Sequence, residues 1–187
     1  MNNKDIDLTN ALREKMKSRP RVRGRYNSSE LWGILNGYTT PEEWLHPKER
    51  TPIELLRMQM GIIVHDHIQK LLPPEGNEVK KEYHYQDIVL VAKVDHLPPH
   101  LPDEVWELKT SQEPMEHAKP WACEQIKLYL SIFERPKGII FQPVSNAQGL
   151  FLKRIGEVCR DDKWFLGQME ALVKFHRKVE LLYGSIN

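Results

Sequence analysis

Two carboxylates and a lysine lie close together in the sequence around a proline-rich segment. Asp95 ends one apolar segment, and Glu107 and Lys109 lie two residues apart on the next. Because side chains alternate along a strand, Glu107 and Lys109 share one face and Leu108 points to the other. Buried charges must be paired or bound to a metal, and a hard divalent cation prefers carboxylate oxygens. The alternative is a surface ion pair at a sheet edge, because Glu-x-Lys is a common sequence.

Two further pairs of residues could contribute to the same chemistry. Gly61 and His65 are four residues apart on a predicted long helix, so they share a face. Glycine would let that helix lie close to a sheet and bring His65 to a metal; the alternative is a half-buried core histidine. Gln125 and Tyr129 share a face of a later predicted helix, where ordinary amphipathic packing is the alternative.

These residues need a sheet and helices to hold them together. Capping residues and prolines predict helices at 28–35, from Thr40-Pro41, at 51–72 and at 121–133, and a last helix that starts at Asp161 or Asp162 and ends before Gly184. Segments rich in β-branched and aromatic residues predict strands at 79–85, 88–94, 104–108, 137–143 and 150–155, the first three forming a meander. This order predicts an α/β protein, a three-layer sandwich with a mixed central β-sheet flanked by helices.

The bulk composition narrows the class of protein. The chain has 187 residues, of which 40% are hydrophobic and 28% charged, and this suits one soluble domain with a real core. A formal net charge of +1 gives no argument for nucleic acid from the whole-protein field. No apolar run is long enough to cross a membrane, and the N-terminus lacks the apolar core of a signal peptide, so a cytoplasmic protein is expected.

Basic residues recur near the N-terminus. They occupy every odd position from 17 to 25, namely Lys17, Arg19, Arg21, Arg23 and Arg25. An extended segment would place all five on one side, where they could neutralise phosphates. The equally weighted alternative is a solvated arm. We therefore divide the chain into a basic N-terminal arm at 1–25 and a single domain at 26–187.

The ordered set of motifs resembles a known nuclease family. Gly61-x-x-x-His65, Asp95, Glu107-x-Lys109 and Gln125-x-x-x-Tyr129 occur in the order typical of the RecB-like exonuclease branch of the PD-(D/E)XK nuclease superfamily. That branch includes the RecB and AddAB nuclease domains and the CRISPR-associated RecB-like exonucleases. The resemblance spans residues 26–143 and implies a restriction-endonuclease-like core.

The resemblance also implies roles for particular residues. It implies that Mg²⁺ or Mn²⁺ is bound by His65, Asp95, Glu107 and the carbonyl of Leu108. Lys109 would be the catalytic lysine, acting with Asp95 and Glu107. Gln125 and Tyr129 would position that lysine and the DNA, and the strand would continue along the basic arm at Arg19, Arg21, Arg23 and Arg25.

The chain departs from the family pattern at two points. Ala92 stands three residues before Asp95, where many members have glycine. Some members hold an iron–sulfur cluster on four cysteines, whereas this chain has only Cys123 and Cys159. We therefore expect no iron–sulfur cluster, with Trp32, Trp44 and Trp164 able to supply replacement packing.

The expected function is that of a metal-dependent DNA exonuclease acting on single strands or free ends. A structure-selective endonuclease and a non-catalytic nucleic-acid-binding module are the alternatives on the same scaffold. The resemblance leaves open a homo-oligomer and protein partners of a recombination or CRISPR type.

Overall fold

A computed structural model describes residues 9–16, 20–111 and 113–186. The helices of this described part are α1 (Thr9–Lys15), α2 (Leu31–Leu35), α3 (Pro41–Leu45), α4 (Pro52–Gln69), α5 (Pro120–Phe133) and α6 (Asp162–Ile186). Its strands are β1 (Arg25–Asn27), β2 (Lys80–Tyr85), β3 (Ile88–Lys93), β4 (Glu104–Leu108), β5 (Lys137–Asn146) and β6 (Gly149–Cys159). A single 3-10 turn at Ser28–Glu30 leads into α2.

The start of α4 follows directly from its sequence. Thr51 Oγ1 accepts a hydrogen bond from the Glu54 N–H at 3.4 Å, and the Glu54 carboxylate accepts one from the Thr51 N–H at 2.8 Å. This capping box, with Pro52 in the first turn, satisfies backbone donors that a helix end leaves free. The predicted end at Leu72 is wrong by three residues, because α4 gives way at Gln69 to tighter turns before Pro73.

The last helix starts where the sequence predicts and ends later. The Asp161 carboxylate accepts a hydrogen bond from the Trp164 N–H at 3.0 Å and caps α6. The helix continues through Gly184 to Ile186, so the prediction that it ends before Gly184 is wrong. A glycine lowers helix stability, but it does not by itself end a helix.

The strands form two three-stranded mixed sheets. In the first, β3 lies between β1, which is parallel to it, and β2, which is antiparallel. In the second, β5 lies between β4, which is parallel to it, and β6, which is antiparallel. His96 joins the two sheets, because it exchanges backbone hydrogen bonds with Trp106 at 2.9 and 3.2 Å. The predicted meander is therefore wrong after β3, since the proline-rich segment at 97–103 leads the chain into a strand that pairs with β5.

The predicted class, an α/β protein with mixed β-structure flanked by helices, is confirmed, but the strands form two three-stranded sheets instead of the one central sheet expected. Helix α5 contacts strands of both sheets, and α6 packs on α2, α3 and α5. The largest fully buried side chains include Tyr26, Trp44 and Tyr129, and the Tyr26 and Trp44 rings lie 5.0 Å apart. Within the described residues, every helix is too short or too polar to cross a membrane.

The N-terminal basic segment is not extended over its described part. The Arg25 N–H donates to the Val22 carbonyl at 3.0 Å, and Gly24 has a φ of +71°, so residues 22–25 form a turn. Arg25 then begins β1, and the proposed boundary between arm and domain falls inside that strand. Lys17 and Arg19 lie outside the described residues.

Candidate active site

Strand β4 places the Glu-x-Lys pair at the edge of the core. The Lys109 N–H donates to the Phe141 carbonyl at 2.8 Å and keeps the chain in register just beyond the strand. The Glu107 side chain is 3% exposed and that of Lys109 is 13% exposed. Lys109 Nζ lies 2.5 Å from Glu107 Oε1. The two charged groups therefore share one face, as the alternation predicted, and they form a largely buried pair.

Asp95 lies between the two sheets and contacts β4 and α4. Its Oδ2 accepts a hydrogen bond from the Leu108 N–H at 2.6 Å, and its Oδ1 lies 2.9 Å from His65 Nε2. An added Cβ at Gly61 would meet Thr110 Oγ1 at 3.4 Å, so α4 passes close to the chain beyond Lys109. The structure thus brings His65, Asp95 and the Glu107 strand together from three separate segments.

The ionised form of Glu107 is electrostatically unfavourable unless a metal cation is bound. Burial, reinforced by the Asp95 carboxylate, raises the pKa of Glu107, and the cations of Lys109 and His65 offset this only in part. Glu107 Oε2 is buried and has no hydrogen-bond partner. The hydrogen bond to Asp95 raises the pKa of His65. A hard divalent cation bound by the free oxygen of Glu107 would offset the cost of burying this carboxylate. These residues therefore fit a divalent metal.

His65 also lies beside two exposed acidic residues, Asp66 and Glu78. One potential ligand atom from each of His65, Asp66 and Glu78 lies within 4.8 Å of the others. Among the described residues, these three meet that distance for every pair. His65, Asp95 and Glu107 do not meet it for all three pairs. Glu78 pairs with Lys93 at 2.5 Å and remains exposed. No sequence pattern indicates Glu78, because the fold brings it to α4 from the segment before β2.

A chain of hydrogen bonds runs from Lys109 into the core. Lys109 Nζ donates to Gln125 Oε1 at 2.9 Å, and Gln125 Nε2 donates to the Tyr129 hydroxyl at 2.5 Å. Ser28 Oγ donates to the same hydroxyl at 3.2 Å. Burial raises the pKa of Tyr129, which keeps its phenol neutral. Gln125 and Tyr129 thus share a helix face, with Gln125 in contact with Lys109 and Tyr129 in contact with Gln125. Ser28 was missed, because nothing in the sequence around it distinguishes it from a helix cap.

The arginines of the basic segment are paired with glutamates. Arg21 and Arg25 form ion pairs with Glu30 and Glu82. Arg23 Nε lies 2.7 Å from Glu180 Oε1, although its side chain is 58% exposed. Each of these three arginines therefore has an acidic partner in the absence of DNA, and their contact with DNA stays a prediction.

Neither a protein-family model nor a curated protein matches the sequence. Solved structures do match. SSO0001 has a TM-score of 0.62 at 17% identity, over 89% of this chain and 83% of that one. The alkaline exonuclease LHK-Exo of Laribacter hongkongensis has a TM-score of 0.57 at 16% identity, over 87% of this chain and 91% of that one. A phage-related exonuclease from Haemophilus somnus 129PT has a TM-score of 0.53 at 11% identity, over 89% and 98%.

The chain shares the fold of these structures, which confirms the predicted restriction-endonuclease-like core. A second structure of LHK-Exo, in complex with dAMP, also matches with a TM-score of 0.57. The likeness extends over most of each chain. In the PD-(D/E)XK fold of this chain, the acidic residues and Lys109 lie at the junction of the two sheets.

Proposed function

We propose that the protein is a divalent-metal-dependent DNA exonuclease of the RecB-like branch. One observation carries the proposal: Glu107 is buried, one of its oxygens has no hydrogen-bond partner, and the like-charged Asp95 carboxylate lies nearby. A folded protein keeps such an arrangement at a cost to stability, which a bound cation would offset. The exposed set around Glu78 carries no comparable penalty, so we assign the metal to the buried carboxylates.

The residues have distinct roles in this proposal. Mg²⁺ or Mn²⁺ would be held by four groups, namely the side chains of His65, Asp95 and Glu107 and the carbonyl of Leu108. When bound, the metal lowers the pKa of water and polarises a phosphoryl oxygen. The Lys109 ammonium offsets the negative charge that develops on the phosphate in the transition state and orients the attacking water. Its position is fixed between two acceptors, Glu107 Oε1 and Gln125 Oε1.

Tyr129 acts indirectly in this proposal. Its side chain is 2% exposed, so it is a positioning residue that holds Gln125 and does not touch DNA. Gln125 is only partly buried and accepts a hydrogen bond from Lys109, which also lies over the exposed Trp121 ring in the first turn of α5. The DNA strand would therefore approach Lys109 along α5, within reach of Gln125.

The substrate class follows from chemistry and from the comparisons together. Three of the similar structures are of two exonucleases, and one of the three contains dAMP. We expect DNA with single strands or free ends as the substrate. Arg21, Arg23 and Arg25 would bind its phosphates in competition with their glutamate partners, and Arg19 lies outside the described residues.

Digestion of end-labelled linear DNA tests the proposal. Single- and double-stranded substrates are incubated with Mg²⁺, Mn²⁺ or EDTA, with wild-type protein and Glu107→Ala. The exposed Glu170→Ala on α6 is the matched control, because it removes a carboxylate far from β4 in the sequence. We expect metal-dependent release of nucleotides from the wild type and the control and none from Glu107→Ala. Undiminished metal-dependent cleavage by Glu107→Ala would overturn the assignment.

A covalently closed single-stranded circle separates the two catalytic alternatives. An exonuclease needs an end and leaves the circle intact, whereas an endonuclease linearises it. We expect the circle to survive under conditions that degrade the linear strand of the same sequence. Linearisation at a comparable rate would assign the same residues to an endonuclease.

A further inference from the structure

Trp121 is an exposed aromatic residue beside the catalytic lysine. It lies in the first turn of α5, and its side chain is 40% exposed. Lys109 Nζ lies over its ring, 4.7 Å from the centroid. The apolar residues that anchor the same helix, such as Ala122 and Ile126, are at most 1% exposed. Core packing therefore does not account for the open surface of the Trp121 ring.

A small cavity adjoins Trp121. Trp32 and Trp164 line it together with Trp121, and it lies between α5 and the segment 28–35. Its volume is about 20 Å³, which leaves room for a water molecule and not for a base. A base bound at Trp121 would therefore lie on the exposed surface of the ring.

The exposed surface of the Trp121 ring fits an unpaired nucleobase. Proteins that bind single strands stack bases on aromatic side chains. Lys109, the residue proposed to face the scissile phosphate, is in contact with the ring itself. A base attached to a neighbouring sugar is therefore within reach of Trp121.

We propose that Trp121 is a base-stacking residue, which receives an unpaired nucleobase of the strand whose phosphate lies at Glu107 and Lys109. The proposal rests on the proposed nuclease function and deepens it. Bases inside a duplex are stacked on one another and present no free face. The Trp121 site therefore selects single strands, or ends whose last base pairs have opened, over an intact duplex.

The competing explanation is that the ring only supports Lys109. A cation over an indole ring is attracted to it, and loss of that contact would slow cleavage of every substrate equally. Stacking predicts instead that the effect of losing Trp121 depends on whether a base is present at one position of the strand. A substrate with one abasic residue distinguishes the two.

The experiment combines protein variants with an abasic scan. Single-stranded oligonucleotides with one abasic residue at successive positions are compared with the intact strand. Binding is measured by fluorescence anisotropy in EDTA, and cleavage by single turnover in Mg²⁺. The proteins are the wild type, Trp121→Ala, Trp121→Phe, which keeps a smaller ring, and the control Phe151→Ala, which removes an exposed aromatic residue from β6.

For the wild type, we expect one abasic position to weaken binding by roughly 5- to 100-fold. Trp121→Ala should bind the intact strand as weakly as that abasic strand and show no further loss with it. Trp121→Phe should keep part of the difference, and Phe151→Ala all of it. If every abasic position binds the wild type as the intact strand does, or if Trp121→Ala retains the full abasic loss, the stacking proposal is wrong. Absence of cleavage in Mg²⁺ with base-dependent binding preserved would instead overturn the proposed nuclease function.

Discussion

Two charged regions of the molecule differ in how completely their charges are paired. At the surface, Arg23 and Arg25 of the N-terminal segment each have a glutamate partner in the described structure. At the junction of the sheets, Glu107 is buried with one oxygen unpartnered, and Lys109 is held by Glu107 and a neutral amide. The row of arginines is the more conspicuous feature of the sequence. The incomplete pairing, rather than the density of charge, marks the region that we expect to bind a metal and substrate.

The largest effect should come from the lysine of the incompletely paired region. Lys109→Met keeps the length of the side chain and removes its charge, so cleavage should fall by roughly 10²- to 10⁴-fold, the usual range for a group that assists proton transfer. Metal binding should persist, because the oxygen ligands remain. Single-turnover cleavage beside Mn²⁺ titration checks both. A variant that cleaves at the wild-type rate would remove Lys109 from the mechanism.

A smaller effect is expected at Gln125, which links Lys109 to Tyr129. Gln125→Leu removes the amide acceptor of a charged donor, so single-turnover cleavage should fall roughly 10- to 100-fold, in line with the strength of such hydrogen bonds. Gln148→Leu, in the exposed turn between β5 and β6, is the matched control and should cleave as the wild type does. Equal rates for the two variants would show that Gln125 does not position the lysine.

The smallest effect is expected in the fully paired region. Arg23→Gln removes one member of a surface ion pair with Glu180, and such pairs contribute little. We expect less than about a threefold change in DNA affinity, measured by anisotropy at two salt concentrations. A loss of more than tenfold in DNA affinity, with a shallower salt dependence, would show that Arg23 leaves Glu180 to bind phosphate. The paired arginines would then also belong to the DNA-binding surface.

Local patterns predicted much of the fold. Strand β4 has the predicted bounds because Val105, Trp106 and Leu108 favour a strand, and the capping box at Thr51 places the start of α4. Strand β1 was missed because its three residues are too few for a periodic signal, and only pairing with the distant β3 makes them a strand. The pairing of β4 with β5 likewise depends on contacts remote in sequence, which a meander of neighbours does not anticipate.

The candidate site was likewise predicted only in part from the sequence. Spacing alone indicated that Glu107 and Lys109 share a face, and the ordered motifs added His65, Asp95, Gln125 and Tyr129. The exposed Glu78 and the stacking ring of Trp121 could not be predicted, since the fold alone brings them to His65 and Lys109. The unpartnered oxygen of Glu107 is a property of packing, which no sequence pattern encodes.

The central claim is that the buried carboxylates hold the metal. Calorimetric titration of Mn²⁺ into the wild type, Glu107→Gln and Glu78→Gln tests it most directly, because the two variants neutralise the buried and the exposed candidate ligands in turn. We predict binding to the wild type, retained binding to Glu78→Gln and a loss of at least roughly tenfold in affinity for Glu107→Gln. Unchanged binding to Glu107→Gln together with lost binding to Glu78→Gln would contradict the account and place the cation at the exposed set.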